Sequence, residues 1–418
     1  MWYSIYMGTD TIEIEWGSIA AQARYHIWSG VGAVVVAAPP GAGKTTMLVQ
    51  VLPELVSGAE MHVAVAGQTR TQSVDVANRL EKAMPGKVAV LASSRDKIMN
   101  STGLYLKRPK NLDNGVHFVA NVDQAHQKGA KAIVATTAKW KYFRPENSII
   151  DFDLLVIDEA WQSHLADVRE MGGIAPQILM VGDPGQIDPV VSADTSLFAG
   201  AKNAPHLPAP DQIIAQFPDN VVSLQMPETY RCGPKTTEVL QSLYPFTFTS
   251  ARNDQHIQID GKDLPEISVH STEAGSQNDS RLFDLVAAQV IAASEGVHIV
   301  DGEEKKIDPS MIAVGVAHVH QTLQVTARLP EELDGVTVDT LERLQGLQFA
   351  HVTLLDPMAG LNEVTPHNSD LGRLCVGLSR STAHTAFVTT DEVIDVLSED
   401  RENAQAALGI KVRKALAA

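Results

Sequence analysis

The chain has 418 residues, 44% of them hydrophobic and 20% charged, with a formal net charge of −17. That length suits two domains, and the composition is that of an ordinary globular protein. The acidic balance argues against a protein that grips nucleic acid through bulk charge, but it is compatible with a narrow basic channel, because local charge decides contact.

In chain order, the opening MWYSIYMGTDTIEIEW carries no basic leader and no long apolar core, so it does not read as a signal peptide. The longest apolar run, near Val31–Ala38, is too short to span a bilayer, and no membrane partner is expected. Short β-branched runs then recur at 33–38, 61–66, 88–92, 132–136, 152–158 and 177–183, separated by stretches that suit helices. Near-continuous apolar strands alternating with helices predict a parallel sheet covered on both faces. The proline-dense segment 201–212 reads as a linker or an irregular crossing. After it the rhythm restarts at 221–224, 266–270, 311–317, 351–356 and 384–390, followed by a helical tail from Asp391. Two α/β lobes, 1–215 and 216–418, are the expected organisation. The two cysteines, Cys232 and Cys375, have neither zinc nor disulfide spacing, which points to a reducing, cytoplasmic setting.

The strongest local signal is APPGAGKT, Ala38–Thr45, lying between a strand and a helix-compatible run. This is the context of a P-loop, in which backbone N–H groups curl around phosphate oxygens. Pro40, Gly41, Ala42, Gly43, Lys44, Thr45 and Thr46 are the expected ATP-binding residues. Lys44 would meet the β- and γ-phosphates, and Thr45 would hold Mg²⁺. VIDEAWQ, Val156–Gln162, delivers Asp158 and Glu159 at the carboxyl end of a strand, where open α/β sheets bind ligands. Asp158 is the second expected Mg²⁺ residue, and Glu159 the base that orients water.

Further strings resemble superfamily 1 helicases over most of the chain. The resemblance implies two tandem RecA-like P-loop NTPase lobes, mostly parallel sheets with helices on both faces, closing on ATP and Mg²⁺. Gln22 stands where that family reads adenine. GDPGQIDPVV, Gly182–Val191, is similar to motif III, with Gln186 as γ-phosphate sensor. AVAGQTRTQSVDVANRL and AIVATTAKW resemble two loops that contact the nucleic-acid backbone, which makes Gln68, Thr69, Arg70, Thr136 and Thr137 candidate contacts. LQMPETYRCGP is similar to motif IV, with Tyr230 on adenine and Arg231 at the γ-phosphate; LCVGLSRSTAH is similar to motif VI, with Arg380 as a second arginine finger. TVDTLERLQGLQF resembles motif V, with Thr340 at the nucleic acid. The family usually has an acidic residue at the ribose where this chain has Gln348. His318 and His320 alternate along what reads as a strand end; lacking a third ligand, they read as structural.

The activity implied is an ATP-dependent helicase or single-strand translocase, with DNA favoured over RNA on general grounds. DEAWQ and GDPGQIDPV point to the branch that moves 5′ to 3′. The alternative is an ATPase switch, stimulated by nucleic acid or by a protein partner, without unwinding. The resemblance fixes no oligomeric state. Lys97, Lys107, Arg108 and Lys110 form a candidate basic flap within 93–131.

Overall fold

In a computed structural model the β-branched runs form strands, as their alternation with helices requires. The structure describes residues 2–7, 10–15, 17–100, 103–189, 191, 193–198, 200–400 and 403–418; for 2–7, 10–15, 100, 103 and 104 it describes the backbone alone. Contacts divide the chain into two units. Unit 1 comprises Met1–Ala38, Gly43–Asp183 and Asp188–Met226; unit 2 comprises Pro39–Ala42, Pro184–Ile187 and Pro227–Ala418.

Unit 1 holds an eight-stranded sheet. Its strands are β1 (Ala33–Ala37), β2 (Val63–Gly67), β3 (Val88–Leu91), β4 (His117–Val119), β5 (Ala132–Thr136), β6 (Leu154–Asp158), β7 (Gln177–Gly182) and β8 (Val221–Gln225). The order is β8-β1-β7-β6-β2-β5-β3-β4, and every pairing is parallel. Helices α1 (Ile19–Trp28), α2 (Lys44–Ser57) and α3 (Arg70–Ala83) bury Ile27, Leu48, Leu52 and Leu80 against one face. The other face is filled by Trp140, Phe152, Met171 and their neighbours. There Trp140 meets Phe143 and Phe152 edge-on at 5.5 and 5.4 Å, and its Nε1 donates to the Val65 carbonyl at 2.9 Å. Burial on both faces explains why these strands read as unbroken apolar runs rather than alternating ones.

The topology matters for the site. After β1 the chain crosses two positions to reach β2, and β7 and β6 later fill the gap. The carboxyl ends of β1, β7 and β6 therefore lie side by side at a switch point, so the loops after residues 37, 158 and 182 share one edge.

Unit 2 has a five-stranded parallel sheet made of β9 (Ile267–Ser271), β10 (Ile312–Val316), β11 (Thr337–Thr340), β12 (Phe349–Leu355) and β13 (Ser381–Thr389), in the order β9-β13-β12-β10-β11. Helix α4 (Ser280–Ser294) packs Leu282, Phe283, Val286 and Val290 on it. The helical tail expected from Asp391 is present as Val393–Glu399 and Ala404–Ala417. Arg413 anchors it, with Nε donating to Asp356 Oδ2 at 2.8 Å and Nη2 to Oδ1. Among the described residues, no helix is long and apolar enough to cross a membrane.

Three expectations need correction. VVSL, expected to open the second lobe, is β8 and pairs with β1 in unit 1, so the division falls after Met226 rather than after 215. Residues 201–212 do not link the units. Leu165 N and Ala166 N donate to the carbonyls of Leu207 and Pro205, and Ala209 is buried at the start of a helix, Ala209–Gln216, within unit 1. His318 is not at a strand end; it is the N-cap of the helix Val319–Thr326. The structure stacks it on His320 at 5.5 Å and on His367 at 4.8 Å, and no metal-holding cluster occurs among the described residues.

Unit 2 also buries two histidines on adjoining strands, His351 on β12 and His384 on β13, with rings 5.1 Å apart. His384 Nδ1 lies 2.6 Å from the Pro265 carbonyl, and its Nε2 lies 3.3 Å from Ser268 Oγ. Desolvation lowers the pKa of both rings, that of His384 to about 4. A neutral ring in the fold and an ordinary ring in the unfolded chain give stability that is complete above about pH 6.5 and is lost as pH falls toward 4. His384 alone should cost about 3 kcal/mol over that window. Urea unfolding at pH 7 and pH 5 should show the loss, and His384→Gln should flatten the dependence.

Candidate nucleotide site

The P-loop grows out of β1. Ala38 N continues the sheet by donating to Gly182 O at 2.9 Å, and Ala42 N then donates to Pro39 O at 3.2 Å. Gly41 and Gly43 take φ of +73° and +86°, left-handed values that glycine adopts without a Cβ clash. Gly43 is the N-cap of α2, so Lys44, Thr45 and Thr46 form its first turn, where free N–H groups and the helix dipole favour an anion. This first turn, with the two turning glycines before it, is the cradle that a triphosphate requires.

Across the shared edge, β6 is buried along its whole length and ends in Asp158. Burial pushes the Asp158 carboxyl up to about 7; the neighbouring Glu159 charge adds to the rise, and Lys44 opposes it. Glu159 N donates to Asp158 Oδ1 at 3.0 Å, and Glu159 has φ of +53°. That conformation costs a non-glycine residue about 1–3 kcal/mol and persists because the surroundings impose it. The tight turn brings Glu159 Oε1 to 3.5 Å from Lys44 Nζ. The turn also packs on the end of β7, since a Cβ at Gly182 would lie 2.8 Å from both Ala160 N and Trp161 Cε3. Two carboxylates beside one ammonium fit a divalent cation well. Asp158 and Thr45 are the residues that would hold Mg²⁺, and the cation would lower the cost of keeping Asp158 ionised.

The remaining expected residues fall into distinct environments. Gln22 lies in the first turn of α1, its Nε2 donating to Gly17 O at 3.2 Å. Gln186 is buried and accepts from Gln345 Nε2 at 2.8 Å, which joins motif III to motif V. Val190, in the motif III string, lies outside the described residues. Tyr230 is 58% exposed, open to stacking on a ring, with its hydroxyl donating to Glu228 at 3.1 Å. Within unit 2, Arg231 is packed beside the P-loop segment: a Cβ on Gly41 would lie 2.3 Å from Arg231 Cβ. Arg231 Nε reaches the Gln348 amide oxygen at 3.3 Å. Arg380 is 1% exposed and turned inward, donating to Val376 O at 3.0 Å, Leu347 O at 3.3 Å and Ser379 Oγ at 2.8 Å.

Several candidate nucleic-acid contacts are engaged within the fold. Thr69 forms a capping box with Gln72 at the start of α3, and Arg70 pairs with the buried Asp96. Gln68 Nε2 donates to Ser163 Oγ at 2.7 Å, tying the end of β2 to the turn after Glu159. Thr136 caps the short helix Thr137–Trp140, Thr137 is buried, and Thr340 is the buried N-cap of Leu341–Leu344. The basic flap contains a hairpin, Lys97–Asn100 with Gly103–Leu106, and Arg108 turns back to the carbonyls of Asp113 and Val116.

Two further groups stand out in the structure. Thr229 is fully buried and donates to Pro40 O at 2.6 Å while accepting from Arg231 N and Cys232 N, so it braces the P-loop segment against motif IV. A lone threonine in a polar string does not announce such a role. Lys139, Tyr142 and Arg144 were legible as cations interleaved with aromatics in KWKYFR.

The class that this fold and site define is a P-loop ATPase. Residues 20–207 match the family model described as AAA domain. Among solved structures, the chain is similar to the PRRSV helicase, with a TM-score of 0.46, 15% identity, and coverage of 88% of this chain and 54% of that one. It is also similar to the Arterivirus nonstructural protein 10 helicase, with a TM-score of 0.47, 13% identity, and coverage of 94% and 72%. The same helicase in complex with DNA gives a TM-score of 0.44, 13% identity, and coverage of 94% and 73%. The chain spans about half the length of the PRRSV helicase.

Gly182→Ala tests the packing of the catalytic turn. The added methyl must displace Ala160 or Trp161, and overpacking of this kind costs about 1–3 kcal/mol. Thermal unfolding should show that loss, together with weaker ATP binding, whereas Gly86→Ala, where a Cβ meets nothing within 4 Å, should leave nucleotide affinity unchanged.

Proposed function

We propose that the protein is an ATP-driven motor that translocates along, and unwinds, a nucleic-acid strand, with single-stranded DNA as its track and 5′-to-3′ movement. The observation that carries this reading is the set of Lys44, Asp158 and Glu159 at one sheet edge, with the Lys44–Glu159 pair at 3.5 Å. Lys44 binds the terminal phosphates, and Glu159 accepts the proton of the attacking water once Lys44 has turned to the nucleotide. Bound Mg²⁺ supplies neutralisation of phosphate charge. Tyr230, exposed on unit 2, offers a ring for stacking on a base, and Gln22 in unit 1 offers an amide to adenine, the roles that the helicase resemblance implies. Gln348, in place of the family's acidic residue, offers the ribose a neutral amide and loosens selection among nucleotides.

The two arginines divide the work unequally. Arg231 is partly buried, and its Nε donates to the Gln348 amide oxygen at 3.3 Å; its role at the γ-phosphate is the one that the motif IV resemblance implies. Arg380 reaches phosphate only by exchanging its bonds to Val376, Leu347 and Ser379. Because Leu347 lies in motif V, movement of that loop breaks one of those three bonds. The Gln345–Gln186 bond links the same loop to motif III, which gives strand binding at motif V a route to the phosphate sensor. The direction of movement is supported by the DEAWQ and GDPGQIDPV strings.

Glu159→Gln should lower turnover by about 10²–10⁴ while ATP binding survives. Arg231→Ala should lower it by about 10³–10⁵ with little change in stability. Arg380→Ala should lower both turnover and melting temperature, because it removes a buried guanidinium that donates to Val376 O, Leu347 O and Ser379 Oγ. The deciding experiment measures ATP hydrolysis with single- and double-stranded DNA and RNA alongside duplex unwinding. Strand-stimulated hydrolysis with unwinding supports the motor; stimulation without unwinding supports an ATPase switch; hydrolysis indifferent to every strand defeats both.

A further inference from the structure

We infer that unit 1 carries a second nucleotide-recognition pocket, apart from the P-loop, that takes one nucleotide with its base on Tyr142 and its phosphate on Lys139. A cavity of about 350 Å³ opens at the carboxyl ends of β3, β4 and β5, lined by Asn121, Asp123, Lys139, Tyr142 and Arg144 among others. That volume is within the range of small-ligand sites, and the position is the ligand-binding edge of an open α/β sheet.

The lining has the chemistry of a nucleotide. Tyr142 is 81% exposed, a large ring that the fold leaves uncovered at the cavity rim. The chain arrives there by a tight turn, since Tyr142 N donates to Lys139 O at 3.3 Å and Phe143 N to Trp140 O at 2.9 Å. Trp140 is wholly buried beneath it, so the turn is anchored in the core. Lys139 is half-buried, and no carboxylate lies within ion-pair distance of its ammonium among the described residues. Its neighbour Lys141, by contrast, is neutralised by Asp167 and Glu170. Arg144 is oriented by Nη1 bonds to the carbonyls of Lys141 and Phe143, at 2.8 and 2.9 Å. Asn121 Oδ1 caps the helix Val122–Gln127 and Asp123 Oδ1 accepts from Ser148 Oγ and Ile149 N, so the groups these two offer a base edge or a sugar hydroxyl are Asn121 Nδ2 and Asp123 Oδ2.

A far smaller recess, about 20 Å³, shares Leu91 and Lys139 with this cavity and is lined by Arg70, Ser93, Asp96 and Thr136 among others. Lys139 thus sits between the recess of the motif-like loops and the Tyr142 pocket. A chain of nucleotides entering over Arg70 and Thr136 would pass its phosphate at Lys139 and set the next base on Tyr142. This also resolves how a chain of net charge −17 can hold a polyanion, since the contact uses a few local cations and one stacking ring. The strand as the source of the nucleotide rests on the motor reading; a free nucleotide is the other source with the same chemistry.

The test uses the full chain with saturating ADP to occupy the P-loop, and follows binding of a short oligothymidylate and of thymidine monophosphate across a salt series. Tyr142→Ala should weaken oligonucleotide binding about 5–100-fold with an unchanged salt slope, and Tyr142→Trp should restore it. Lys139→Gln should weaken binding and reduce the slope by about one charge. If the mononucleotide responds to these variants and the oligonucleotide does not, the pocket takes a free nucleotide instead of a strand unit. If both variants bind both probes like the parent while hydrolysis is still stimulated by strands, the pocket is refuted and the motor reading stands. If the parent binds no oligonucleotide and no strand stimulates hydrolysis, the motor reading fails, and the mononucleotide alone decides the pocket.

Discussion

A carboxylate at the end of a fully buried strand is the constraint from which much of this protein follows. Asp158 terminates β6, and burial, with the Glu159 charge beside it, pushes its carboxyl up to about 7 even against the opposing Lys44. An ionised group in such a place needs a cation, and Lys44 is the one that the sheet brings near. Lys44 is also the residue that a triphosphate attracts. On the proposed reading, a phosphate that drew Lys44 away would leave Asp158 and Glu159 without that counter-charge, which Mg²⁺ would restore. Nucleotide and metal therefore suit each other at this site, because each removes what the other would leave unbalanced.

The strained turn at Glu159 belongs to the same arrangement. A relaxed strand end would aim successive side chains to opposite faces of the sheet. The left-handed conformation breaks that alternation, so both carboxylates serve one site. The turn survives because Gly182 lets Ala160 and Trp161 press against β7, and because Ser163 and Gln68 tie the following residues to β2. The strain is held by packing, and the packing depends on a residue without a side chain.

In unit 2 the polar groups are more tightly committed than a list of motifs suggests. Arg380, Gln186, Gln345 and Thr229 are each bonded to backbone or to one another. A residue so engaged changes role only when its partners move. Thr69, Arg70 and Thr136 show the same economy in unit 1, where a cap or a buried ion pair occupies groups that also lie next to a cavity.

The P-loop, the Asp158–Glu159 pair and most of the long strands were readable from the residues themselves, because they depend on local rules: burial makes a strand apolar, and phosphate contact demands glycine before a helix. The departures are all non-local. β8 was placed in the wrong unit because an apolar run does not say which sheet it joins; pairing with β1, far away in sequence, decided that. Residues 201–212 looked like a linker because prolines signal irregular chain, not whether that chain packs. The histidine stack, the inward turn of Arg380 and the support of Pro40 by Thr229 join residues many positions apart. Sequence alone determined which chemistry is present and in what order along the chain. Tertiary structure decided which of those groups are already engaged and which, like Lys139 and Tyr142, remain available, because partnership depends on distance in space and the chain order does not encode it directly.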